Sequence, residues 1–303
     1  MKSGFVCVIG RPNVGKSTLI NAIIGQKVSI VSFKPQTTRD VIRGIYNDED
    51  SQIIFTDTPG IHKSEDSLGN IMNANAVSAV NDVDVILMLV DISKDSNASD
   101  KYVIERIKNN KCPKILVINK IDCKSKIELL PIITHYASLN IFDEIIPISA
   151  LNETNIDELI KLIKTYLQEG PRYYPVTMVS DHPKTFSISE TVREKIFLNL
   201  QDELPYSIGV YTEEVNESAD KLKARVIALV TRESQKGIII GKKGEMLKKI
   251  TKQARDDLAN SLNKQVVLEI FVRVQKDWRN SPSILKMLGY EINDWKKGYR
   301  LCL

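Results

Sequence analysis

The sequence predicts an α/β domain built on a mixed six-stranded sheet, followed by a smaller α+β module. Three observations predict this. Short apolar runs alternate with helix-like stretches through the first half, and the runs are apolar throughout, as a sheet covered on both faces demands. Two of those runs are separated only by Asn47-Asp48-Glu49-Asp50. That is too short for a helical crossover, so they must be antiparallel neighbours at the sheet edge. After Gly170 the order changes to helix, strand, strand, helix, turn, helix, strand.

The predicted strands of the first part are Gly4–Ile9, Val41–Tyr46, Ile53–Thr56, Val85–Val90, Lys114–Ile118 and Ile145–Ile148. Val41–Tyr46 pairs with Gln52–Asp57 across the short turn. Helices are expected near Lys16–Ile24, Leu68–Val80, Ser99–Lys108, Lys126–Leu139 and Ile156–Leu167. Gly170-Pro171, Pro175 and Pro183 then punctuate the chain. The expected organisation is a first domain over 1–172, a linker over 173–184 and a second domain with a tail over 185–303. In the second, Thr191–Leu204 reads as a helix stopped by Pro205. Ser207–Val215 and Leu222–Arg232 read as strands, Glu245–Ser261 as a helix and Val266–Val274 as the last strand.

At 303 residues the chain can bury two ordinary cores, and 43% hydrophobic with 26% charged residues is a soluble globular composition. Cys7, Cys112, Cys123 and Cys302 lack CxxC spacing. They read as reduced, largely buried thiols of a cytoplasmic protein and not as a disulfide frame or a zinc site. No run approaches the ~20 apolar residues that cross a bilayer. The first strand starts so early that no room is left for a signal peptide. Residues 1–180 carry 20 Lys and Arg against 21 Asp and Glu, whereas 181–303 carry 22 against 17. The basic excess therefore sits in the C-terminal part, where a polyanion is a natural partner and a merely solvated face the plain alternative.

Four boxes stand where strands should end. Gly10-Arg11-Pro12-Asn13-Val14-Gly15-Lys16-Ser17, followed by Thr18, fits the phosphate-loop pattern between an apolar strand and a helix. Loop N–H groups and the helix N-terminus would surround a phosphate. Lys16 would span the β- and γ-phosphates, and Ser17 would offer its hydroxyl to Mg²⁺. Asp57-Thr58-Pro59-Gly60 closes the next strand, with Asp57 toward Mg²⁺ through water and the Gly60 N–H toward a γ-phosphate. Between them, Gln36-Thr37-Thr38-Arg39 should supply a threonine to the metal, Thr38 first and Thr37 next. The expected catalytic set is Lys16, Thr38 and Gly60.

Asn119-Lys120-Ile121-Asp122 and Ser149-Ala150, followed by Leu151, read the base. Asp122 can accept from the N1–H and 2-amino group of guanine; adenine lacks that pair, leaving the carboxylate unsatisfied at a cost of roughly 1–3 kcal/mol or more. Asn119 and Lys120 would brace the loop, and the Ala150 N–H would face the guanine oxygen. The ligand is therefore GTP or GDP. Position 61 holds Ile61, where Ras-type enzymes orient water with a glutamine, so slow intrinsic turnover is expected. Asn13 occupies a position that in some GTPases helps hold K⁺; bracing of the loop is the other reading.

Ile240-Gly241-Lys242-Lys243-Gly244 is a G-x-x-G turn between helical segments, with Lys248 a turn further on. In KH modules such a turn clamps about four unpaired nucleotides, glycines allowing close approach and lysines supplying charge. His62, His135 and His182 are isolated and carry no metal pattern.

The chain resembles the Era family of bacterial ribosome-assembly GTPases from end to end. The resemblance rests on Pro35-Gln36-Thr37-Thr38-Arg39, on Asp57-Thr58-Pro59-Gly60 with Ile61 and His62, on Arg193-Glu194-Lys195 and on Asp202 through Ser207. It continues in Arg232 through Lys236, in the glycine-lysine turn, and in the tail from Val274 through Trp278 to Leu288-Gly289-Tyr290. It implies a Ras-like P-loop GTPase domain and a type II KH domain that binds the 3′ end of small-subunit ribosomal RNA during subunit maturation. Nucleotide state would control access to the RNA. It further implies a cytoplasmic protein acting as a monomer, with any contact at the cell membrane peripheral. An alternative is a nucleotide switch whose C-terminal module binds protein or membrane and couples growth to GTP. Salt separates the two, because phosphate clamping weakens steeply as salt rises.

Overall fold

The computed structural model describes the chain except residues 33, 35–36, 61–65, 82, 94–97 and 293–303. It divides into two compact units, the main break falling between Asp181 and His182, with Glu65–Gly69 grouped with the second unit.

In the first unit the elements run β1 (Lys2–Ile9), α1 (Lys16–Ile24), β2 (Ile42–Asn47), β3 (Ser51–Asp57), α2 (Ser67–Ser78), β4 (Val85–Asp91), α3 (Ala98–Ile107), β5 (Lys114–Asn119), α4 (Lys126–Ala137), β6 (Glu144–Pro147) and α5 (Ile156–Tyr166). The sheet order is β2-β3-β1-β4-β5-β6, parallel except for the antiparallel β2–β3 pair. The period-2 alternation of β1 explains why every position had to be apolar. Val6 and Val8 enter a core with Leu19, Ile20, Leu159 and Ile163, while Cys7 and Ile9 enter the opposite core with Val103, Ile107 and Tyr136. Each fully buried aliphatic side chain contributes ~1.5–3 kcal/mol. Helix α5 shows the matching helical period, burying Ile156, Leu159, Ile160 and Ile163 on one face.

This order puts the topological switch beside β1, whose neighbours β3 and β4 lie on opposite sides. Ligands of open α/β sheets sit beyond the carboxyl ends of the strands at such a point. Those ends are Ile9, Asp57, Asp91 and Asn119, and the register pairs Asp91 with Asn119.

Residues 173–181, within the segment read from sequence as a linker, are tied to the sheet edge. Buried Gln52 of β3 accepts from Tyr173 N and Tyr174 N through Oε1 at 2.7 and 3.0 Å, and its Nε2 donates to Tyr174 O at 2.8 Å. Ile45 N donates to Val179 O at 3.0 Å, and Arg43 pairs with Asp181 at 2.6 Å.

In the second unit the elements are α6 (Lys184–Asn199), β7 (Gly209–Glu217), β8 (Lys221–Val230), α7 (Glu233–Ile240), α8 (Glu245–Leu262), β9 (Gln265–Val274) and α9 (Pro282–Met287). Its sheet, β7-β8-β9, pairs β7 antiparallel and β9 parallel to β8. Ile188, Val192 and Ile196 of α6 pack over Val226 and Ala228 with Ile250 and Ala254 of α8. Helix α6 begins seven residues before the expected Thr191 and ends before Leu204. Pro183, extended at φ −66°, sits as its N-cap, where a missing N–H costs nothing. Helix α9 was not foreseen. Of the described cysteines only Cys7 is buried; Cys112 is half-buried and Cys123 exposed, which corrects the expectation of largely buried thiols.

Candidate functional site

The phosphate loop connects β1 to α1. Gly15, its helix cap, has φ 100°, and a Cβ there would lie 2.2 Å from Asn119 Nδ2. Only glycine fits, on both counts. The loop walls a cavity together with Ile30–Ser32, Thr37, Thr38 and Gly60; Pro12, Asn13, Gly15, Lys16, Ser17 and Thr18 are its floor.

Two hydroxyls that line the cavity, of Ser17 and Thr38, meet a carboxylate oxygen of buried Asp57. Ser17 Oγ donates to Asp57 Oδ2 at 2.7 Å and lies 2.9 Å from Thr38 Oγ1, which in turn lies 3.4 Å from the same carboxylate oxygen. Asp57 is fully buried, and its Oδ1 has no hydrogen-bond partner. Burial pushes the Asp57 carboxyl above the usual carboxylate range, against the nearby Lys16 and the Ser17 hydroxyl. A buried carboxylate with a spare oxygen beside two hydroxyls is an all-oxygen donor set, which fits a hard divalent cation such as Mg²⁺. Thr37 also lines the cavity, but its hydroxyl donates to Lys34 O at 2.7 Å.

Lys16 Nζ donates to Gly10 O and Arg11 O, both at 3.0 Å, so it already points along the loop. Burial lowers its pKa to about 8, which Asp57 partly opposes. Arg11 looks in sequence like a further phosphate cation, but its guanidinium turns away. Nε faces buried Asp100 of α3 at 3.3 Å, and NH2 donates to Asp91 O at 3.3 Å. Val14 is buried in the sheet core and Thr58 is fastened by its hydroxyl to Val8 O at 2.8 Å. Gly60 and Pro59 complete the box after β3 as expected in chain order. Ile61 and His62 lie outside the described residues.

The base-reading loop is braced onto the phosphate loop. Asn119 Nδ2 donates to Val14 O at 2.8 Å, and Lys120 Nζ donates to Asn13 O at 2.9 Å. Asp122 is exposed, and the Ser149 hydroxyl donates to its Oδ1, holding the carboxyl below its ordinary range. The Ala150 N–H, assigned from sequence to the guanine oxygen, donates here to Asn119 Oδ1 at 3.0 Å. Asn119 thus ties this loop to the phosphate loop as well. Leu151 stands exposed at the rim. The Ser149–Asp122 bond and the partners of Arg11 were missed by sequence reasoning, since neither has a spacing signal.

In the second unit the turn joins α7 to α8. Gly241 has φ 73°, and a Cβ would meet Met246 at 2.7 Å. Lys243 itself takes the left-handed conformation at φ 52°. Ile239 anchors the turn in the core beside half-buried Ile240, leaving Lys242, Lys243 and, on the first turn of α8, Lys248 exposed.

Fold and site define the class: a P-loop nucleotide-binding domain with guanine-type reading boxes, followed by a KH domain. Residues 5–120 match the family described as 50S ribosome-binding GTPase, and residues 203–279 match the KH domain family. A variant of Era from Aquifex aeolicus bound to GDP and tetrafluoroaluminate is 41% identical with a TM-score of 0.93, over 96% of this chain and 99% of that one. Era in complex with MgGDPNP and nucleotides 1506–1542 of 16S ribosomal RNA gives the same identity, coverage and TM-score. The chain belongs to the Era family of GTPases. Among the described residues, no helix is long and apolar enough to cross a membrane.

Proposed function

We propose that the protein is a GTP-hydrolysing switch that binds the 3′ region of small-subunit ribosomal RNA and assists maturation of the small ribosomal subunit. The observation that carries the reading is that the Ser17 and Thr38 hydroxyls, which line the cavity walled by the phosphate loop, converge on an oxygen of buried Asp57. Gly10 to Thr18 would hold phosphates, Lys16 exchanging its loop carbonyls for β- and γ-oxygens. Asp122, set by Ser149, would read guanine.

Ser17 and Thr38 would hold Mg²⁺ directly and Asp57 through water; the ion would neutralise charge on the phosphate oxygens. Hydrolysis would be slow in isolation, because Ile61 has no group to orient water. Asn13 lines the cavity and could add a K⁺ ligand. In the KH domain, Gly241 and Gly244 would admit the RNA backbone while Lys242, Lys243 and Lys248 face its phosphates. The relative whose complex contains 16S ribosomal RNA supports this assignment.

The test is crosslinking to small-subunit ribosomal RNA, first with GDP and then with a nonhydrolysable GTP analogue, followed by mapping of the nucleotides reached. The reading expects contacts near the 3′ end that depend on the nucleotide and weaken steeply with salt. Contacts spread over the RNA and insensitive to the nucleotide would sink it.

A further inference from the structure

One charged cluster of the first unit lies outside the cavity and is not used by the proposed chemistry. Asp91, the last residue of β4, is buried. Its Oδ2 accepts from Lys120 Nζ at 2.6 Å. Its Oδ1 accepts from Ser93 N at 2.9 Å and Ser93 Oγ at 2.6 Å. Its backbone oxygen accepts from Arg11 NH2 at 3.3 Å. Lys120 in turn donates to Asn13 O at 2.9 Å, and Arg11 pairs with Asp100 of α3.

These bonds close a circuit through the phosphate loop (Arg11, Asn13), the end of β4 (Asp91) and the base-reading loop (Lys120). Two features argue that the circuit has a task. Lys120 is held left-handed at φ 67°, a conformation a lysine keeps only when its surroundings fix it. Its ammonium, on a half-buried side chain, is seated at 2.6 Å by a buried carboxylate whose other oxygen is held by Ser93. Asp91 does not line the cavity. Burial opposes the Asp91 charge, but the Lys120 and Ser93 hydrogen bonds outweigh it and hold the carboxyl below the usual range.

We propose that Asp91 is a positioning residue for guanine-nucleotide binding. By seating Lys120 it locks the base-reading loop to the phosphate loop, so that both halves of the ligand meet one rigid site. This rests on the nucleotide reading given above. Since Asp122 is oriented by Ser149 and not by Asp91, loss of Asp91 weakens GTP and ITP alike and leaves base discrimination in place.

The test is a double-mutant cycle on the full chain, with Kd for GDP as the readout, using Asp91→Asn, Lys120→Met and the double variant. Asp91→Asn is expected to raise the Kd about tenfold, the loss typical of a charge-assisted hydrogen bond. KM for GTP should rise in step with kcat nearly unchanged, and the double variant should bind no worse than Lys120→Met alone. A general loss of folded protein would lower the active fraction and kcat without moving Kd, so that result overturns the proposal. Additive losses in the cycle overturn it as well. If Asp91→Asn does not fold, Asp91→Glu, which keeps the charge, carries the same cycle and should bind more weakly than wild type. Wild-type protein that bound no GDP would instead overturn the reading of the site itself.

Discussion

Ser17 Oγ lies 2.7 Å from Asp57 Oδ2, although forty positions separate the two residues in the chain. The bond joins the start of α1 to the end of β3 and places a hydroxyl donor on a carboxylate that burial already disfavours as an anion. Such a pair is costly for an empty protein and useful to one that binds a cation.

Asp57→Asn should therefore move stability and function in opposite directions. Because the folded pKa of Asp57 is raised, its favourable contribution is full below the ordinary carboxylate pKa. That contribution is lost as pH rises through the raised value. At pH 7 the nucleotide-free Asn variant should be more stable by roughly 1 kcal/mol, about 2–4 °C in Tm. Its affinity for GDP should lose its dependence on Mg²⁺. Calorimetric melts, with nucleotide binding in magnesium and in chelator, check both.

Lys16 gives a pH signature. Burial lowers its pKa to about 8, so free protein near pH 8.5 holds a partly neutral amine that a bound phosphate must recharge. Nucleotide binding should take up a proton there, and affinity should fall as pH rises past 8. In the empty protein the sign is the reverse, with Lys16 adding stability as pH climbs from 8 toward the ordinary lysine value. Titration calorimetry in two buffers of different ionisation enthalpy measures the uptake, which Lys16→Met should abolish.

Asp122→Asn should weaken GTP binding by roughly 100-fold, the scale of a lost charged hydrogen-bond pair. It should favour xanthosine triphosphate, whose 2-oxo group prefers an amide donor. Competition between the two nucleotides decides the matter; unchanged guanine preference would remove the assignment of this loop.

Replacing Lys242 and Lys243 with Asp should abolish RNA binding while GDP binding stays intact. Lys242→Gln with Lys243→Gln should flatten the slope of log affinity against log salt by roughly 1.4, about 0.7 for each lost phosphate contact with a single strand. Equal loss of RNA and nucleotide binding would contradict separate sites.

Gln52→Ala should destabilise the first unit by roughly 2–3 kcal/mol, since it strands the Tyr173 and Tyr174 amides that Gln52 satisfies. Urea unfolding measures this, and a loss under 0.5 kcal/mol would show that the segment after Gly170 does not depend on that side chain.

The residues that meet phosphate and base were legible because chemistry fixes both their type and their spacing. Lys16, Ser17, Asp57 and Asp122 each follow a strand that its apolar run announces. The antiparallel edge was legible from a turn too short for any other connection. Bonds made across the fold were not. Asn119 taking the Ala150 N–H, and Arg11 turning to Asp100, depend on which loops the sheet order brings side by side. Gln52 was hidden as one polar residue inside a strand, and the tyrosine backbone it binds lies more than a hundred positions away. The early start of α6 escaped because Thr185, Ser187 and Ser189 are weak helix formers, and burial of Ile188 and Val192 overrides them.

The first unit also brings its first residues back to the stretch just after α5. Gly170 N donates to Met1 O at 3.0 Å, Ser3 N donates to Gln168 O at 3.1 Å, and the backbones of Lys2 and Glu169 form an antiparallel β-bridge. A bulky tag fused directly at Met1 would press on residues 168–170, just ahead of the segment 173–181 that is tied to the sheet edge.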